Sequence, residues 1–365
     1  MNLHLVDDEK VINRMIASFE EALPGRNIYI CFKKKGDLVH VNPLNPNLYL
    51  YESEGDFDAS LLRNVSKVVF HFLSLEKINF FKQYIKHRVL TYWIAWGGDL
   101  YNGLLAPRGF SIYYEKKFLG KRGQLMLLLG KLGIFSLKSA RILDFIKNSI
   151  DFIISSDYPL MIKYLKPYIT AKRLTGFFYY PIDQVLGSLV DEKSCGENII
   201  IGNSASLSNN HLYAFNFLSN INLGQRKIIV PLNYNGDDRY KKHVIDVGLK
   251  MFKSEFSPLR NFLPLVEYNK LFLSSGYCIY ANWRQEAMGN ILIALYLGCK
   301  VFLSNKSPLL MRFKEMGVNV FELELIDENS FVRLSAEEIE HNRKILSFRY
   351  SKEQQIKKIQ ELFNF

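Results

Sequence analysis

The strongest constraint on the fold lies in the middle of the chain, where an apolar strand, a loop of small residues and a helical pattern follow one another. The run 198–201 (NIII) is typical of a buried strand, Gly202-Asn203-Ser204 follows it, and helical spacing begins near residue 209. In open α/β sheets this succession brings backbone N–H groups and a helix N-terminus against a phosphate group. The loop begins at residue 202 of 365, so we predict that it opens the second of two domains.

The length of the chain also favours two domains, because 365 residues exceed what one ordinary hydrophobic core organises. We predict a first domain over 1–185, a second domain over 186–350 and a C-terminal helix over 351–365. The polar stretch 181–197 predicts a linker between the two halves.

The composition excludes several classes of protein. With 48% hydrophobic and 23% charged residues the chain is globular. Four cysteines without paired spacing favour a reduced chain. Acidic residues stand where a signal peptide needs Lys or Arg, and no apolar run reaches the roughly 18 residues of a membrane span. We therefore expect neither secretion nor a membrane-spanning segment.

Strand-like and helix-like patterns alternate in both halves, which predicts an α/β fold with mostly parallel sheets. The predicted strands are 27–32, 66–72, 90–95, 198–202, 226–232, 277–281, 300–304 and 318–321. The predicted helices are 10–23, 74–86, 209–219, 237–252, 287–297, 308–316 and 351–364. Asn209 or Asn210 is the expected cap of the helix at 209–219.

Four loops of the second half follow predicted strands, where such sheets bind ligands. Arg284 is a fixed cation that can hold a diphosphate through two nitrogens, and a helix opening at Gly289 directs its dipole at an anion. The alternative is that the glycines only permit turns and Arg284 is a surface charge. The residues predicted to bind a nucleotide donor are Gly202, Asn203, Ser204, Pro231, Tyr234, Gly236, Arg284, Gln285, Gly289 and Asn290.

Two common nucleotide motifs do not occur in this sequence. The chain has neither GxGxxG at residue 202 nor GxxxxGK[ST], which disfavours dinucleotide oxidoreductases and P-loop enzymes. Asp56-Phe57-Asp58 matches a DxD metal motif, but it lies in an acidic loop without a strand leading into it. We interpret it as a solvated turn and helix cap. The sequence thus predicts neither a metal nor a cofactor, and Arg284 and helix N-termini would hold the diphosphate.

The first half carries its densest functional pattern at 91–101 (TYWIAWGGDLY). An apolar strand there ends in a Gly-Gly turn that presents Asp99 beside tryptophans. Asp99 is the first candidate for a general base, and His71, at the end of another predicted strand, is the second. Alternatively, Asp99 caps a tight turn over core tryptophans and His71 is a packed histidine. The predicted acceptor contacts are Trp96, Gly97, Gly98 and Tyr101.

A basic, leucine-rich segment spans 116–141. It contains seven basic residues and no acids, as in segments that lie on an anionic bilayer. The alternative is an amphipathic helix packed on the sheet with a solvated basic face. Nucleic acid is a disfavoured partner, because leucines rather than stacking aromatics dominate. The predicted membrane contacts are Lys116, Lys117, Lys121, Arg122 and Lys131.

Four segments, in order and spacing, resemble a known enzyme family. They are WIAWGGDLY, IIIGNSASLSNNH, IIVPLNYNG and WRQEAMGNILIALYLGCKVFLS. The chain is similar to the TDP-N-acetylfucosamine:lipid II N-acetylfucosaminyltransferases of enterobacterial common antigen synthesis. The resemblance covers most of the chain and is strongest over 93–101 and 198–305.

The resemblance implies a GT-B glycosyltransferase with two Rossmann-like domains facing across a cleft. The acceptor would bind to the first domain and the donor to the second, and the terminal helix would cross back to the first domain. It also implies a peripheral enzyme on the cytoplasmic face of the bacterial inner membrane. The residues that match the family's donor and front loops are Gly202, Asn203, Ser204, Pro231, Gly236, Arg284, Gln285, Gly289, Asp99 and Tyr101.

The resulting hypothesis is transfer of a 6-deoxyamino sugar, such as a 4-acetamido-4,6-dideoxyhexose, from a TDP-sugar to a polyprenyl-diphosphate-linked saccharide. The product would serve a surface polysaccharide, enterobacterial common antigen or O-antigen. If the configuration at the anomeric carbon is retained, no base is needed and Asp99 would only orient the acceptor. The alternatives are a UDP- or GDP-sugar donor on the same fold, or a non-catalytic subunit that binds a sugar nucleotide.

Overall fold

The computed structural model describes residues 1–33, 35–52, 57–132 and 136–363. Elements are numbered in chain order. The strands are β1 Asn2–Val6, β2 Asn27–Cys31, β3 Leu48–Leu50, β4 Lys67–His71, β5 Leu90–Ile94, β6 Phe152–Ile154, β7 Lys172–Leu174, β8 Asn198–Ile201, β9 Ile228–Pro231, β10 Phe256–Leu259, β11 Ser275–Tyr280, β12 Lys300–Leu303 and β13 Phe321–Glu322. The helices are α1 Ile12–Ala22, α2 Leu75–Tyr84, α3 Lys121–Lys131, α4 Leu137–Ser149, α5 Tyr158–Leu165, α6 Ile182–Leu186, α7 His211–Leu218, α8 Asp238–Phe252, α9 Leu265–Leu273, α10 Met288–Leu297, α11 Pro308–Glu315, α12 Ala336–Arg349 and α13 Lys352–Phe363.

Two parallel sheets organise the chain. The first has the order β3-β2-β1-β4-β5-β6-β7 and the second β10-β9-β8-β11-β12-β13. Both begin with the 3-2-1-4 order of a Rossmann fold, in which the chain reverses direction across the sheet at its first strand. Ligands of such sheets bind at the carboxyl ends of the strands beside that switch point. The switch points here lie between β1 and β4 and between β8 and β11.

The chain divides into two compact units. The first unit contains Met1–Phe110, Met126–Pro181 and Lys352–Phe365, and the second contains Ser111–Leu125 and Ile182–Ser351. The second unit therefore includes a piece of the predicted first domain, and its longer stretch begins at residue 182. Helix α6, with Leu186 buried, also occupies part of the stretch that the sequence predicts as a linker.

Helix α13 packs with the first unit, far from its neighbours in sequence. Ile359 and Phe363 are buried in the apolar cluster that contains Phe19 of α1 and Tyr92 of β5. Lys67 donates a hydrogen bond from Nζ to the carbonyl oxygen of Phe363, at 3.1 Å. These contacts assign the C-terminal helix to the first unit.

All eight predicted strands and all seven predicted helices match elements of the structure within a few residues. The structure adds β1, which sequence patterning missed because its residues NLHLV place a histidine among the apolar positions. It also adds the short strands β3, β6, β7 and β10. Asn210 stands at the start of α7 as predicted, but its side chain makes no cap hydrogen bond to that helix.

Asp58 caps a turn, as the sequence predicts. Its carboxylate accepts hydrogen bonds from the backbone nitrogen and the hydroxyl of Ser60, at 2.9 and 2.8 Å. Asp56, the other acid of the DxD motif, lies outside the described residues. Among the helices described, none is both long enough and apolar enough to cross a bilayer.

Candidate active site

The first loop of the second switch point is held together by buried polar side chains. Gly202 has a φ of 74°, and a Cβ there would lie 2.8 Å from Asn209 Oδ1 and 2.9 Å from His211 Nε2. Asn209 is fully buried; its Oδ1 accepts from the backbone nitrogen of Asn203 at 2.9 Å, and its Nδ2 donates to Ser204 Oγ at 3.0 Å. Glycine is therefore required at 202, and the side chain of Asn209 ties the loop together through two hydrogen bonds.

The second loop packs directly on the first. Gly236 has a φ of 83°, and a Cβ there would lie 2.2 Å from the carbonyl oxygen of Ala205. The backbone nitrogen of Ala205 donates to the carbonyl oxygen of Tyr234 at 2.8 Å. Pro231 ends β9, and the side chain of Tyr234 is 47% exposed. Two of the predicted donor loops are thus joined through their backbones.

The third loop is organised by Glu286, which sequence reasoning did not select. Its Oε2 accepts from Ser208 Oγ at 2.7 Å, Asn282 Nδ2 at 3.0 Å and Arg284 Nε at 2.9 Å. Arg284 is thereby fixed in orientation, and much of its charge is balanced by a carboxylate. The available signal was an acid two residues beyond the arginine in a strand-end loop. Gln285, partly buried, lies between the two.

Two helices of the switch point begin in the same unusual way. Asn210 before α7 and Ala287 before α10 have left-handed φ values of 51° and 62°. Within the described chain, neither helix has a side-chain cap, whereas Asp237, Ser307 and Ser335 cap other helices of this unit. The side chains of Asn210 and Ala287 therefore do not satisfy the first-turn N–H groups. In α7 the backbone nitrogen of His211 donates instead to the Tyr240 hydroxyl, at 3.3 Å.

Gly289 and Asn290 lie in the first turn of α10. The side chain of Asn290 donates from Nδ2 to the hydroxyl of Tyr268, at 2.7 Å. One of the two amide N–H groups of Asn290 is therefore engaged within the unit.

Buried polar atoms without hydrogen bonds collect at this edge. Among the described residues, four such side-chain atoms are Asn203 Oδ1, His211 Nε2, Asn282 Oδ1 and Trp283 Nε1. The other ring nitrogen of His211 is 3.1 Å from the Tyr240 hydroxyl, and burial lowers the pKa of His211 to about 3. Folded proteins pair nearly all buried polar groups with protein or ordered water, so these atoms mark a place where a ligand or water would supply the partners.

An open pocket adjoins the second loop at the ends of β9 and β10. Its volume is about 460 Å³, and it is lined by Leu232, Asn233, Lys241, Lys242, Ile245, Asp246 and Arg260. Three cations against one acid give it a positive character that suits an anionic group.

The segment 111–118 lies against the second switch point. Asn210 binds it on two sides: Oδ1 accepts from the backbone nitrogen of Tyr114 at 2.9 Å, and Nδ2 donates to the carbonyl of Ile112 at 3.2 Å. The ring of Tyr114 contacts Tyr213 and Trp283. Lys306 places its ammonium 3.8 Å from the Trp283 ring centroid.

The basic, leucine-rich segment is only partly packed. Apart from Gly130, none of the described residues of α3 is buried, and Leu125 and Leu128 are more than half exposed. Lys121 and Arg122 are exposed beside them, and the side chain of Lys131 lies outside the described part. Lys117 forms an ion pair with Glu115 at 3.0 Å. Lys116 lies in the stretch Ser111–Leu125, which belongs to the second unit.

At the first-unit edge, Asp99 accepts four hydrogen bonds. Its Oδ2 accepts from Leu73 N at 2.7 Å and Trp93 Nε1 at 2.8 Å, and its Oδ1 accepts from the backbone nitrogens of Trp96 and Leu100 at 2.8 Å. Burial raises the pKa of Asp99 to about 6, although these bonds act in the opposite direction. The carboxylate is enclosed, so the geometry favours an orienting role over proton transfer.

The other predicted residues of this edge differ in accessibility. Trp96 is partly buried and donates from Nε1 to the Tyr179 hydroxyl at 2.6 Å. Gly97 precedes a π-helix over Gly98–Leu105, an irregularity common at functional sites. Tyr101 is buried and its ring contacts Phe110. A direct acceptor contact by Tyr101 therefore does not fit its place in the core.

His71 lies within the sheet rather than projecting from its edge. Its Nε2 is 3.0 Å from His4 Nδ1, and its Nδ1 is 2.9 Å from the Tyr179 hydroxyl. Burial, with smaller effects of His4 and Lys77, lowers the pKa of His71 well below its usual value. Both ring nitrogens are engaged, which removes the basis for His71 as a general base.

Comparison with solved structures supports the two-sheet architecture. The chain is similar to Anabaena Alr3699/HepE in complex with UDP-glucose (12% identity, TM-score 0.60, covering 100% of this chain and 99% of that one). It is also similar to an α,α-trehalose-phosphate synthase (UDP-forming) from Burkholderia vietnamiensis (9%, 0.62, 100% and 99%). A third similar structure is a glycosyltransferase from Rickettsia africae (11%, 0.59, 100% and 97%). At these identities the likeness establishes the GT-B fold.

A sequence profile described as 4-alpha-L-fucosyltransferase, glycosyl transferase group 56, matches residues 162–359. The match covers more than half of the chain, including the whole second sheet and its switch point. The chain therefore belongs to glycosyltransferase group 56 and is a glycosyltransferase with two Rossmann-like units.

Proposed function

We propose that the enzyme transfers a 4-acetamido-4,6-dideoxyhexose, or a related deoxyamino sugar, from a TDP-sugar to a polyprenyl-diphosphate-linked saccharide. The acceptor would belong to enterobacterial common antigen or O-antigen synthesis at the cytoplasmic face of the inner membrane. The observation that carries the donor side is the second switch point. Two uncapped helices begin there, beside four buried polar atoms without hydrogen bonds among the described residues.

The donor's diphosphate would lie on the backbone of the first and third loops. The backbone nitrogens of Ser204 and of the first turn of α10 would supply N–H groups, which attract an anion. Those of Gly202 and Asn203 already donate to Ile279 and Asn209. Arg284, fixed by Glu286, would contact the diphosphate as a cation. Glycine at 202 and 236 keeps this edge compact, because a Cβ would lie 2.8 Å from Asn209 Oδ1 at 202 and 2.2 Å from the carbonyl oxygen of Ala205 at 236.

The chemistry asked of these groups is stabilisation of a leaving group. An acceptor hydroxyl oxygen bonds to the anomeric carbon, and the bond from that carbon to the diphosphate oxygen breaks. The hydroxyl proton passes to a base on the first unit or to the departing diphosphate. The electron pair leaves with the nucleoside diphosphate. Donors aimed at the growing negative charge lower the barrier, and removing one such donor typically costs 10²–10³-fold in turnover.

Trp96, Gly97 and Gly98 would form part of the acceptor site on the first unit. The aromatic face of a partly buried tryptophan suits the apolar face of a sugar ring. Asp99 would hold this loop in place, since it ties the backbone of Trp96 to that of Leu73.

The exposed side of α3 would rest on the membrane that carries the acceptor. Leucines at 125 and 128 are exposed next to Lys121 and Arg122. Basic residues near an anionic lipid surface contribute about 1 kcal/mol each. Lys116, Lys117 and Lys131 would add to this attraction.

A UDP-sugar is the second candidate donor. HepE, a protein of the same fold, has been solved with UDP-glucose and with UDP and glucose. The base-binding contacts depend on details that the shared fold does not determine, so the two donors call for a direct comparison.

A thermal-shift series with TDP-, UDP- and GDP-sugars tests the proposal. A ligand selective for the folded state raises the melting temperature by mass action. We expect the largest rise with a TDP-deoxyamino sugar and turnover with a polyprenyl-diphosphate-linked acceptor. A larger rise with UDP-sugars would support the second candidate. Nucleotide binding without any transfer would contradict the proposed reaction.

A further inference from the structure

The carboxylates at the first switch point differ sharply in accessibility. Asp8 accepts from the backbone nitrogens of Val39, His40 and Val41 and from Lys33 Nζ, and its side chain is only 3% exposed. Burial raises its pKa, but these bonds together outweigh that effect and hold the pKa at about 2. Asp8 and Asp99 are thus both enclosed by donors.

Asp7 occupies a different position on the same edge. It directly follows β1, whose neighbour β4 ends at His71. Its side chain is 35% exposed, yet its Oδ2 lies 2.5 Å from Nζ of Lys77. Asp7 therefore combines a fixed orientation with access to solvent at the switch point.

Lys77 fixes the orientation of the Asp7 carboxylate. Its side chain is fully buried, and Nζ donates to Asp7 Oδ2 and to the carbonyl oxygens of His71 and Phe72, at 2.5, 2.5 and 3.0 Å. These three acceptors use all three N–H groups of the ammonium. The side chain of Ser74 caps α2 by accepting from the backbone nitrogen of Lys77, which lies in the first turn of that helix.

Phe72 shows that the local backbone is constrained around this pair. It has a φ of 67°, which is unusual for a bulky residue and typical of functional sites. Its carbonyl bonds to Lys77, the next backbone nitrogen bonds to Asp99, and its ring lies against Gly98. Lys77 and Asp99 thus secure the two sides of one strained turn beside Asp7.

We propose that Asp7 is the first-unit residue that hydrogen-bonds the attacking hydroxyl of the acceptor, with Lys77 as the positioning residue that orients its carboxylate. This inference rests on the proposed function, in which the first unit binds the acceptor. It replaces Asp99 and His71 in that role, because the hydrogen-bonding capacity of both is used within the protein.

The test compares Asp7→Asn and Asp7→Glu with the native enzyme and with Glu9→Gln. Glu9 is exposed in the same loop, so Glu9→Gln removes the same charge nearby. The glutamate variant keeps a carboxylate for Lys77 but displaces it by one methylene. The assay uses a farnesyl-diphosphate-linked disaccharide with whichever nucleotide sugar the native enzyme binds most tightly. TDP affinity and melting temperature are measured in parallel.

We expect both Asp7 variants to lose about 10²–10³-fold in transfer, with TDP affinity within about twofold of native and Glu9→Gln close to native. Transfer by both Asp7 variants within threefold of native would overturn the inference, as would a parallel loss of TDP binding. A native enzyme that binds nucleotide but transfers nothing to this acceptor would instead contradict the proposed function. The inference would fall with it.

Discussion

The two switch points share a strand order, but the polar groups around them differ. At the second unit, backbone loops and uncapped helices surround buried atoms that lack hydrogen bonds within the described chain. At the first unit, Asp8, Asp99 and His71 are enclosed by partners, and Asp7 alone of these four has a substantially exposed side chain. The same topology thus yields one edge suited to an anionic group and another that offers a single oriented carboxylate.

The largest expected effect is structural and tests whether Asp99 is an anchor. Asp99→Ala leaves four donors around a buried space, so we expect a loss of about 3–5 kcal/mol in the free energy of unfolding. Asp144→Ala, at an exposed position of α4, should change it by less than about 0.5 kcal/mol. Chemical denaturation measures both. A fully stable but inactive Asp99→Ala would restore Asp99 as a catalytic group.

Sequence patterns predicted the long elements because their apolar residues repeat with clear periods. They also located Gly202, Gly236 and Arg284 in loops at strand ends. They did not identify Asp7, because β1 was not predicted. Without that strand, there was no reason to place Asp7 at the carboxyl edge of the sheet. Nor could they show that Asp99 and Tyr101 are buried, since burial depends on contacts between distant segments, such as that of Leu73 with Asp99.

Gly236→Ala tests the contact between the first two loops of the second unit. A Cβ would lie 2.2 Å from the carbonyl oxygen of Ala205, so we expect destabilisation of about 1–3 kcal/mol beyond backbone strain and weaker TDP binding. Gly224→Ala is the matched control: its φ is 61°, but the nearest atom, Arg226 Nη1, is 3.7 Å away. Denaturation measures the stability of both variants, and calorimetry measures their TDP binding. Equal losses of stability and binding in both variants would show that the loop contact is not the cause.

Arg284→Ala tests the charge on the second-unit edge. Loss of a charge-assisted hydrogen bond should weaken TDP binding by about 10–100-fold and reduce turnover, without changing attachment to vesicles. Arg239→Ala is the matched control, because Arg239 is also paired with an acid two residues away, Asp237, but is exposed. Equal losses of turnover and vesicle attachment in Arg284→Ala would contradict the assignment.

The smallest effect concerns the membrane-facing segment. Lys121→Gln with Arg122→Gln should weaken binding to anionic vesicles by about 2 kcal/mol in total, roughly 30-fold, and less at high salt. Lys344→Gln with Arg349→Gln, exposed on α12, is the control of equal charge. Sedimentation with anionic and neutral vesicles distinguishes the pairs. Binding that ignores both lipid charge and salt would count against a membrane role for α3.

Hydrogen–deuterium exchange with and without TDP would show whether a nucleoside diphosphate binds at the second switch point. A bound diphosphate would stabilise both loops and the helix starts beside it against local opening. We therefore predict slower exchange at 202–211 and 284–291 and unchanged exchange at 96–105. Protection confined to 96–105, or absent from both second-unit loops at saturating TDP, would contradict nucleotide binding at the second switch point.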